Sequence, residues 1–431
     1  MRVRLPSGAR FTRDAWLLIA VSGVLSVTFY GIHNLLRVLY VLRLGHGPEY
    51  VGVFSASGAL TYMAMGLPSG ALGQRFGARK TMLVGGVIVV LGMLALPAAE
   101  YVPLTLRLTW PIATQVVLIC GWSMVNVNIV PGLVAATAPE SRGDVYAMNG
   151  AVRGLGTLAG TLVGGLLPGL FAGILGQTLG DPSPYGYGLW VAAVLSIAGI
   201  VPVALLRTAR QSTTESSEAG AADPFPVALM AILAGHIFLV HGGWATLQAF
   251  GNAYMDTDLR LPASAIGLIT GAAQLVSIGA ALVTPRLARR VGEGRTLLVS
   301  GLGMGLSLVP LALIAHWSTA TFGRVGNLAL EAMWLPALQV YQMERVGERW
   351  RSMAYGIVNT VMGLSFGTVS LAGGYIVAAG GYRAVFLVGA GLCVAASVVM
   401  GGMVRGERRA EKRTAPAPGE TTAGWRRFAG D

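Results

Sequence analysis

The sequence predicts an all-α membrane protein in which twelve transmembrane helices form two pseudo-symmetric six-helix halves. Three observations predict this fold. The composition is too apolar for a soluble domain, a series of apolar runs is long enough to cross a bilayer, and a loop motif recurs in the second half of the chain. The polar residues inside those apolar runs then become the candidates for function.

The composition and the placement of the charges indicate a membrane protein. Hydrophobic residues make up 54% of the 431 residues and charged residues only 12%, whereas soluble domains carry about 25% charged residues. The net charge of +12 lies in short loops and at the chain ends, not on one basic face, so it does not indicate a nucleic-acid partner. Cys120 and Cys393 lie in separate apolar runs, so we expect packing residues and no disulfide framework.

Twelve apolar runs are long enough to span about 30 Å of hydrocarbon. The first is too long for the core of a signal peptide, and no small-residue cleavage site follows it, so we interpret it as a retained span. Glycine and proline inside the runs are tolerated in bilayers. The predicted spans are 15–42, 49–69, 80–97, 110–136, 144–175, 186–206, 227–254, 263–285, 295–315, 319–344, 353–379 and 382–404.

The basic residues predict the orientation. Most of the 31 Lys and Arg residues fall in the segments on the same side as the two chain ends. Only Arg43, Arg107, Arg260 and Arg383 fall in the opposite loops. Because cytoplasmic loops carry the excess of Lys and Arg, both termini are predicted to be cytoplasmic, in a plasma (inner) membrane.

Three segments outside the spans complete the predicted organisation. Residues 1–14 form a basic cytoplasmic arm, and the polar, small-residue stretch 207–226 suits a flexible linker between the halves. Residues 405–431 are charged and rich in Pro and Ala, which predicts a disordered tail. The halves themselves are therefore 15–206 and 227–404.

The central motif of the sequence is the loop 69–81, which recurs in degenerate form at 285–296. The matching pairs are Leu72 with Leu287, Arg75 with Arg290, Gly77 with Gly292, Lys80 with Arg295 and Thr81 with Thr296. Further matches follow at similar offsets in the predicted spans, including Pro131 with Pro336. A repeat spread this widely predicts two halves of similar structure.

The loop 69–81 resembles the signature between helices 2 and 3 of the major facilitator superfamily, roughly Gly-x-Leu-Ala-Asp-Arg-x-Gly-Arg-Lys. The resemblance implies a secondary transporter with a cytoplasmic gate at this loop. The implied gate residues are Gly70, Gln74, Arg75, Gly77, Arg79 and Arg290. Gln74 replaces the acidic residue of the family, so the gate must depend on the arginines and on neutral hydrogen bonds.

A glycine motif in the fifth span allows two interpretations. Gly156-x-x-x-Gly160-Thr161-x-x-Gly164-Gly165 resembles the superfamily's antiporter signature, with Thr161 where proline is expected. Small residues at this spacing also permit close helix packing in any membrane bundle. The motif therefore leaves open whether it indicates efflux or only packing.

Polar residues inside the spans are the candidates for the binding site, because charges in hydrocarbon are costly and usually face a cavity or a partner. In the superfamily, helices 1, 4, 7 and 10 line a central cavity, and most of these residues fall on the corresponding spans. The implied substrate-cavity residues are His33, Asn34, Arg37, Asn126, Arg153, His241, Gln248, Asn252, Arg324 and Asn327.

Structural interpretations of the same residues remain open at this point. Arg324 and Glu331 are seven residues apart on one helix face and could form an internal pair. Arg37 could extend its guanidinium to the membrane interface. His236 and His241 are five residues apart without an accompanying carboxylate, so we expect core histidines and no metal site.

Glu331 is the one acid clearly in the middle of a span, so we predict that it carries proton coupling. The excess of intramembrane arginines over this carboxylate favours an anionic substrate. The alternatives are an efflux antiporter for neutral or cationic solutes, and a non-transporting polytopic sensor or assembly protein.

No nucleotide, metalloprotease or nucleophile motif predicts an enzyme. We expect no cofactor, and a monomer in the lipid bilayer.

Overall fold

The computed structural model describes residues 11–138, 141–207, 225–347 and 350–414. Within these ranges every regular element is helical. The first ten residues of the predicted arm, linker residues 208–224 and the tail beyond 414 lie outside the described residues.

The first half contains six helical segments. They are α1 (Arg13–Arg43), α2 (Pro48–Phe76), α3 (Ala78–Ala95), α4 (Trp110–Ala135), α5 (Arg142–Leu175) and α6 (Ser183–Ile197, continued by Ile200–Ala204). A 3₁₀ turn, Leu96–Glu100, extends α3, and a π-helical stretch, Ser26–His33, interrupts α1.

The second half repeats the pattern. Its segments are α7 (Val227–Thr257), α8 (Ala263–Val291), α9 (Glu293–Leu313) and α10 (Trp317–Arg345), followed by the continuous stretch Arg351–Thr414. Gly381, at φ 71° and ψ 177°, breaks that stretch into α11 (351–380) and α12 (382–414). The last helix thus runs past the predicted boundary at 404.

Ten stretches of the described chain are long and apolar enough to cross a membrane. One of them contains the break at Gly381, so it accounts for two of the predicted spans. The α10 helix has 29 residues but is not among the ten, and Arg324 and Glu331 are among its polar residues. The all-α membrane fold is confirmed, and the count of twelve spans stays a prediction.

The repeated motif adopts the same backbone conformation in both halves. Gly77 lies between α2 and α3 at φ 89° and ψ 142°, and Gly292 lies between α8 and α9 at φ 87° and ψ 151°. Only glycine takes this conformation without steric cost. The common conformation supports the duplication, but one detail of the prediction was wrong. Residues 70–76 continue α2 as helix up to Gly77, although Gly70 and Gly73 lie within this stretch.

The two halves pack through glycines on α2, α5, α8 and α11. A Cβ atom on Gly52 would lie 2.6 Å from the Ser370 carbonyl oxygen, and one on Gly267 would lie 3.0 Å from the Cα of Gly165. Such contacts let helix backbones approach closely. Both contacts lie toward the end of the bundle at which α1 finishes, here called the Arg43 end. The opposite end, where α1 begins, is called the terminus end.

Candidate functional site

Four aromatic rings gather on α1, α2 and α4 in the first half. The Trp122 ring lies 5.2 Å from Phe29, 5.8 Å from Tyr30 and 4.8 Å from Tyr62, measured between centroids. Phe29 and Tyr30 lie in the π-helical stretch, whose extra residue per turn changes which side chains point to the interior. This aromatic cluster is a surface on which a planar or apolar group of a solute could stack.

Asn126 and Arg153 border the aromatic cluster. The Asn126 amide nitrogen donates to the Tyr62 hydroxyl at 3.2 Å, and the Arg153 guanidinium donates to the Tyr30 hydroxyl at 3.2 Å. Arg153 also lies over the Tyr30 ring, 5.4 Å from its centroid. Arg153 has no carboxylate partner among the described residues. Two predicted cavity residues from α4 and α5 are therefore joined to this cluster through the tyrosines.

The candidates on α1 continue from this cluster along the helix. His33 is fully buried and stacks on Phe29 at 6.0 Å, and within the described residues neither ring nitrogen has a hydrogen-bond partner. Asn34 is half-buried. The half-buried Arg37 lies over the Phe54 ring at 5.9 Å, and its Nε has no partner in the same part of the chain. Buried polar atoms usually have a hydrogen-bond partner, so these side chains are candidates for contact with a solute.

Arg324 and Asn327 on α10 face α7. Arg324 is only 3% exposed and donates to the Leu247 carbonyl at 3.2 Å, while its Nε has no partner among the described residues. Asn327 is fully buried, and neither of its amide atoms has a partner in that set. The half-buried Glu331 forms no hydrogen bond or ion pair with a described residue. The internal pair between Arg324 and Glu331 is therefore not formed.

The candidates on α7 lie in two groups. Asn252 is buried with an amide oxygen lacking a partner among the described residues, and Gln248 is half-buried. His241 packs 4.7 Å from Trp244, and Trp244 packs 5.8 Å from Phe366 of α11. The second half thus has its own aromatic group, smaller than that of the first half.

His236 has a structural role, as the sequence indicated. Its Nδ1 lies 3.0 Å from the Ala396 carbonyl, and its Nε2 lies 3.3 Å from the Trp334 indole nitrogen. A neutral imidazole that donates from Nδ1 and accepts at Nε2 satisfies both partners. His236 therefore joins α7, α10 and α12 in the core.

The predicted gate residues lie at the terminus end, around the α2–α3 turn. A Cβ atom on Gly70 would lie 3.8 Å from the Val127 side chain, and Gln74, Arg75 and Arg290 are exposed. Arg75 lies over the Phe76 ring at 5.2 Å. Arg79 donates to the Ala204 carbonyl at 2.6 Å and so joins α3 to α6 within one half. None of these described contacts crosses between the halves.

An ion pair that the sequence analysis missed does cross between the halves. Arg43 at the end of α1 binds both carboxylate oxygens of Asp256 on α7, at 2.6 and 2.7 Å. Arg43 also donates to the Leu179 carbonyl at 2.8 Å and to the Tyr185 hydroxyl at 3.1 Å. The sequence analysis had assigned Arg43 to a loop. Its position beside a carboxylate of the other half has no local sequence signal.

The glycine motif of α5 packs against α1. A Cβ on Gly31 would come within 2.5 Å of the Gly160 Cα atom, and one on Gly164 within 3.0 Å of the Ile32 Cα atom. Gly165 and the Thr161 carbonyl contact Gly267 of α8. These contacts support the packing interpretation of the motif.

A cavity of about 360 Å³ lies at the terminus end, between the first half and the residues that flank it. None of the predicted substrate-cavity residues lines it; of the predicted gate residues, Gly77 and Arg79 do. The predicted substrate residues instead lie along α1, beside the aromatic cluster around Trp122, and on α7 and α10.

Comparison with known proteins identifies the family. The family model described as the Major Facilitator Superfamily matches residues 19–247 and 233–430. Proteins of this superfamily are membrane transporters and not enzymes, so the prediction that the chain is not an enzyme is confirmed. No curated protein matched the sequence.

Several solved structures share the fold at low sequence identity. The nucleoside transporter NupG has a TM-score of 0.71 at 14% identity, covering 91% of this chain and 99% of its own. A D-xylose-proton symporter scores 0.70 at 14% identity, with coverages of 90% and 96%. A bacterial homolog of the human lysosomal transporter Spinster, in an inward-facing and occupied conformation, scores 0.69 at 13% identity, with coverages of 91% and 96%. The chain belongs to the major facilitator superfamily.

Proposed function

We propose that this protein is a secondary active transporter that moves a small solute across the plasma (inner) membrane by alternating access between its two halves. The halves meet through glycine contacts and the Arg43–Asp256 pair at the Arg43 end. Two similar halves around a central site are the arrangement that such transporters use. With both termini cytoplasmic, the Arg43 end faces outward, and the protein is closed on that side.

Proton coupling through Glu331 is the next part of the proposal. Glu331 lies on the same stripe of α10 as Arg324 and Asn327, and in the described chain it has no hydrogen-bond or ion-pair partner. A carboxyl group in hydrocarbon favours its neutral form, and a change of surroundings can then release its proton. This unpaired carboxylate in a membrane helix is the observation that carries the proposal. The fold shared with a D-xylose-proton symporter is compatible with it.

An anionic solute is the substrate class that we favour. Arg37, Arg153 and Arg324 lie in the spans and form no ion pair with a described residue, whereas Arg43 is neutralised by Asp256. Removing an unpaired cation from water costs several kcal/mol even after relaxation. A carboxylate or phosphate group on the solute would offset part of this cost, and a cation would add to it.

A neutral polar solute is the second candidate, supported by the aromatic cluster around Trp122. Three rings surround this indole, and the Asn126 amide and the tyrosine hydroxyls lie at its border. Aromatic faces beside a few hydrogen-bonding groups suit the recognition of sugars or nucleobases. An efflux antiporter for cationic solutes is less compatible with the three arginines.

The test uses the purified protein in liposomes containing a pH-sensitive dye. Carboxylates, phosphate esters, sugars and nucleosides are added one at a time, and proton movement is recorded. Glu331→Gln keeps the shape of the side chain but removes the proton. We expect it to abolish solute-dependent proton movement while counterflow exchange of the same solute continues.

Glu344→Gln is the matched control, because Glu344 is exposed near the end of the same helix. Solute-dependent proton movement that survives in Glu331→Gln would show that the coupling residue lies elsewhere. Absence of movement for every solute in the unmodified protein, together with absence of exchange, would favour the non-transporting sensor or assembly protein.

A further inference from the structure

The cavity at the terminus end lies apart from the residues proposed to bind the transported solute. It has a volume of about 360 Å³ and is lined by the ends of α1, α2, α3 and α4 and by the residues that follow α6. Its described walls belong to the first half and to the residues that directly flank it, which are Thr12, Arg13, Asp14 and Arg207. Movement of the halves against each other would therefore leave its lining together.

The charged groups around this cavity are mostly basic. Arg13, Arg79, Lys80 and Arg207 line it, against one acid, Asp14. Within the described chain, Arg13, Lys80 and Arg207 form no side-chain hydrogen bond and no ion pair. Like charges gathered around one concave surface raise the local potential and attract an anion.

Backbone groups add to the same potential. The α3 helix begins at Ala78, beside the cavity, and no side chain caps its N-terminus. The first N–H groups of a helix lack intrahelical partners and carry the positive end of the helix dipole. Phosphate groups are common ligands at such positions. The helix end and the basic side chains thus favour the same kind of ligand.

The floor of the cavity is apolar. Leu18, Met82 and Leu206 are buried around it, and Phe76 at its rim is 52% exposed. Trp16, one turn along α1 from Arg13, is 50% exposed and packs 5.3 Å from Phe11. Exposed aromatic residues at the ends of membrane helices mark the level of the lipid headgroups. The cavity therefore lies where a headgroup and the start of an acyl chain would meet it.

We propose that this cavity binds the phosphate-bearing headgroup of an anionic phospholipid from the same leaflet. Lys80, Arg207 and the N-terminus of α3 receive the phosphate, and Leu18 and Met82 contact the adjoining apolar part. The sequence of the preceding arm, with Arg2, Arg4 and Arg10, is itself basic and does not complement the site. Anionic lipids are attracted to basic clusters beside membrane helices at this level.

The test measures the thermal unfolding of the full-length protein in detergent during titration with phosphatidylglycerol. Phosphatidylcholine and inorganic phosphate are titrated in parallel. We expect phosphatidylglycerol to raise the melting temperature in a saturable manner. The double variant Lys80→Gln with Arg207→Gln should weaken its apparent affinity about tenfold or more.

Arg286→Gln with Arg289→Gln is the matched control, because it removes the same charge from the exposed end of α8 in the second half. It should leave the affinity for phosphatidylglycerol unchanged, and Lys80→Arg should retain it. An equal loss of affinity in both double variants would show only general surface attraction and overturn the proposal.

Two other outcomes would also overturn it. Stabilisation by inorganic phosphate that exceeds stabilisation by phosphatidylglycerol would assign the site to a soluble phosphate compound. The second outcome combines two results: the unmodified protein does not respond to phosphatidylglycerol, and the double variant Lys80→Gln with Arg207→Gln is less stable than the unmodified protein in the absence of lipid. This outcome would indicate that an acidic segment of the same chain occupies the cavity.

Discussion

Breaking the Arg43–Asp256 pair should open the Arg43 end of the protein. Asp256 is 8% exposed and accepts from both terminal nitrogens of the Arg43 guanidinium, at 2.6 and 2.7 Å. These hydrogen bonds join the two halves directly. Asp256→Asn keeps the size of the side chain and removes its charge, so it perturbs the contact between the halves with little change in packing.

The expected magnitude follows from the burial of the pair. Removing one partner of a fully buried ion pair costs about 3–5 kcal/mol, because the other charge is left uncompensated. The Arg43 side chain is 20% exposed and keeps its contacts with Leu179 and Tyr185 in its own half. We therefore expect a loss of about 2 kcal/mol, which is about a thirtyfold shift in the equilibrium between closed and open forms. If the ratio of closed to open forms in the unmodified protein is about 100:1, it would fall to about 3:1 in Asp256→Asn.

Distance measurements between spin labels would detect this shift. Leu104 in the α3–α4 connection and Ile314 between α9 and α10 are exposed at the Arg43 end, one in each half. Labels are attached there after Cys120 and Cys393 are replaced. The unmodified protein should give one main distance, and Asp256→Asn should add a second, longer distance.

Asp258→Asn is the control, because Asp258 is an exposed acid on the same side that binds only its neighbour Thr257 among the described residues. It should leave the distance distribution unchanged. The exchanged pair, Arg43→Asp with Asp256→Arg, should restore the short distance in part. An unchanged distribution in Asp256→Asn would refute the argument that this pair holds the end closed.

Two further predictions concern the proposed binding site and the helix packing. Arg324→Gln should weaken binding of an anionic solute about tenfold or more relative to its neutral analogue. Competition for transport in liposomes measures both affinities, and an equal loss of affinity for the two compounds would contradict an electrostatic role of Arg324. Gly160→Ala should lower the free energy of unfolding by about 1–3 kcal/mol, because its Cβ would overlap the Val27 carbonyl, whereas Gly169→Ala has open space and should be neutral in a thermal unfolding assay.

The features that the sequence predicted well are those encoded by local pattern. The apolar runs indicated the membrane helices, and the repeated loop indicated the common conformation of Gly77 and Gly292. The stretch 70–76 was wrongly assigned to a loop, because helices continue past the hydrocarbon until a residue stops them. Hydropathy marks the width of the membrane and not the end of a helix.

The features that the sequence could not predict depend on contacts between distant residues. Arg43 and Asp256 are 213 residues apart, and each alone resembles an ordinary charge near a helix end. The aromatic cluster required Tyr62 on α2 and Phe29 in a π-helical stretch, and neither has a distinctive pattern. The π-helical stretch lies where Gly160 closely approaches Val27, and a contact between such distant residues has no local sequence signal.

The described residues at the two ends of the protein make different contacts between helices. At the Arg43 end, a bidentate ion pair joins α1 to α7. At the terminus end, Gln74 stands where the family has an acid, and the described gate contact of Arg79 with Ala204 stays within one half. A neutral glutamine cannot supply the carboxylate of an ion pair, so a hydrogen bond between Gln74 and an arginine has only one ionised partner.

We expect the Arg43–Asp256 pair to favour the form of the protein that is closed at the Arg43 end. A proton-coupled transport cycle then needs a step that weakens the contacts between the halves at the Arg43 end or strengthens those at the terminus end. Glu331 and Arg324 lie on α10, and Arg324 contacts α7 at Leu247, about two and a half turns from Asp256 on the same helix. The proposed solute and proton sites on α10 are therefore in contact with the helix that carries Asp256. We expect Asp256→Asn to disturb coupling as well as conformation, through greater proton leak without solute.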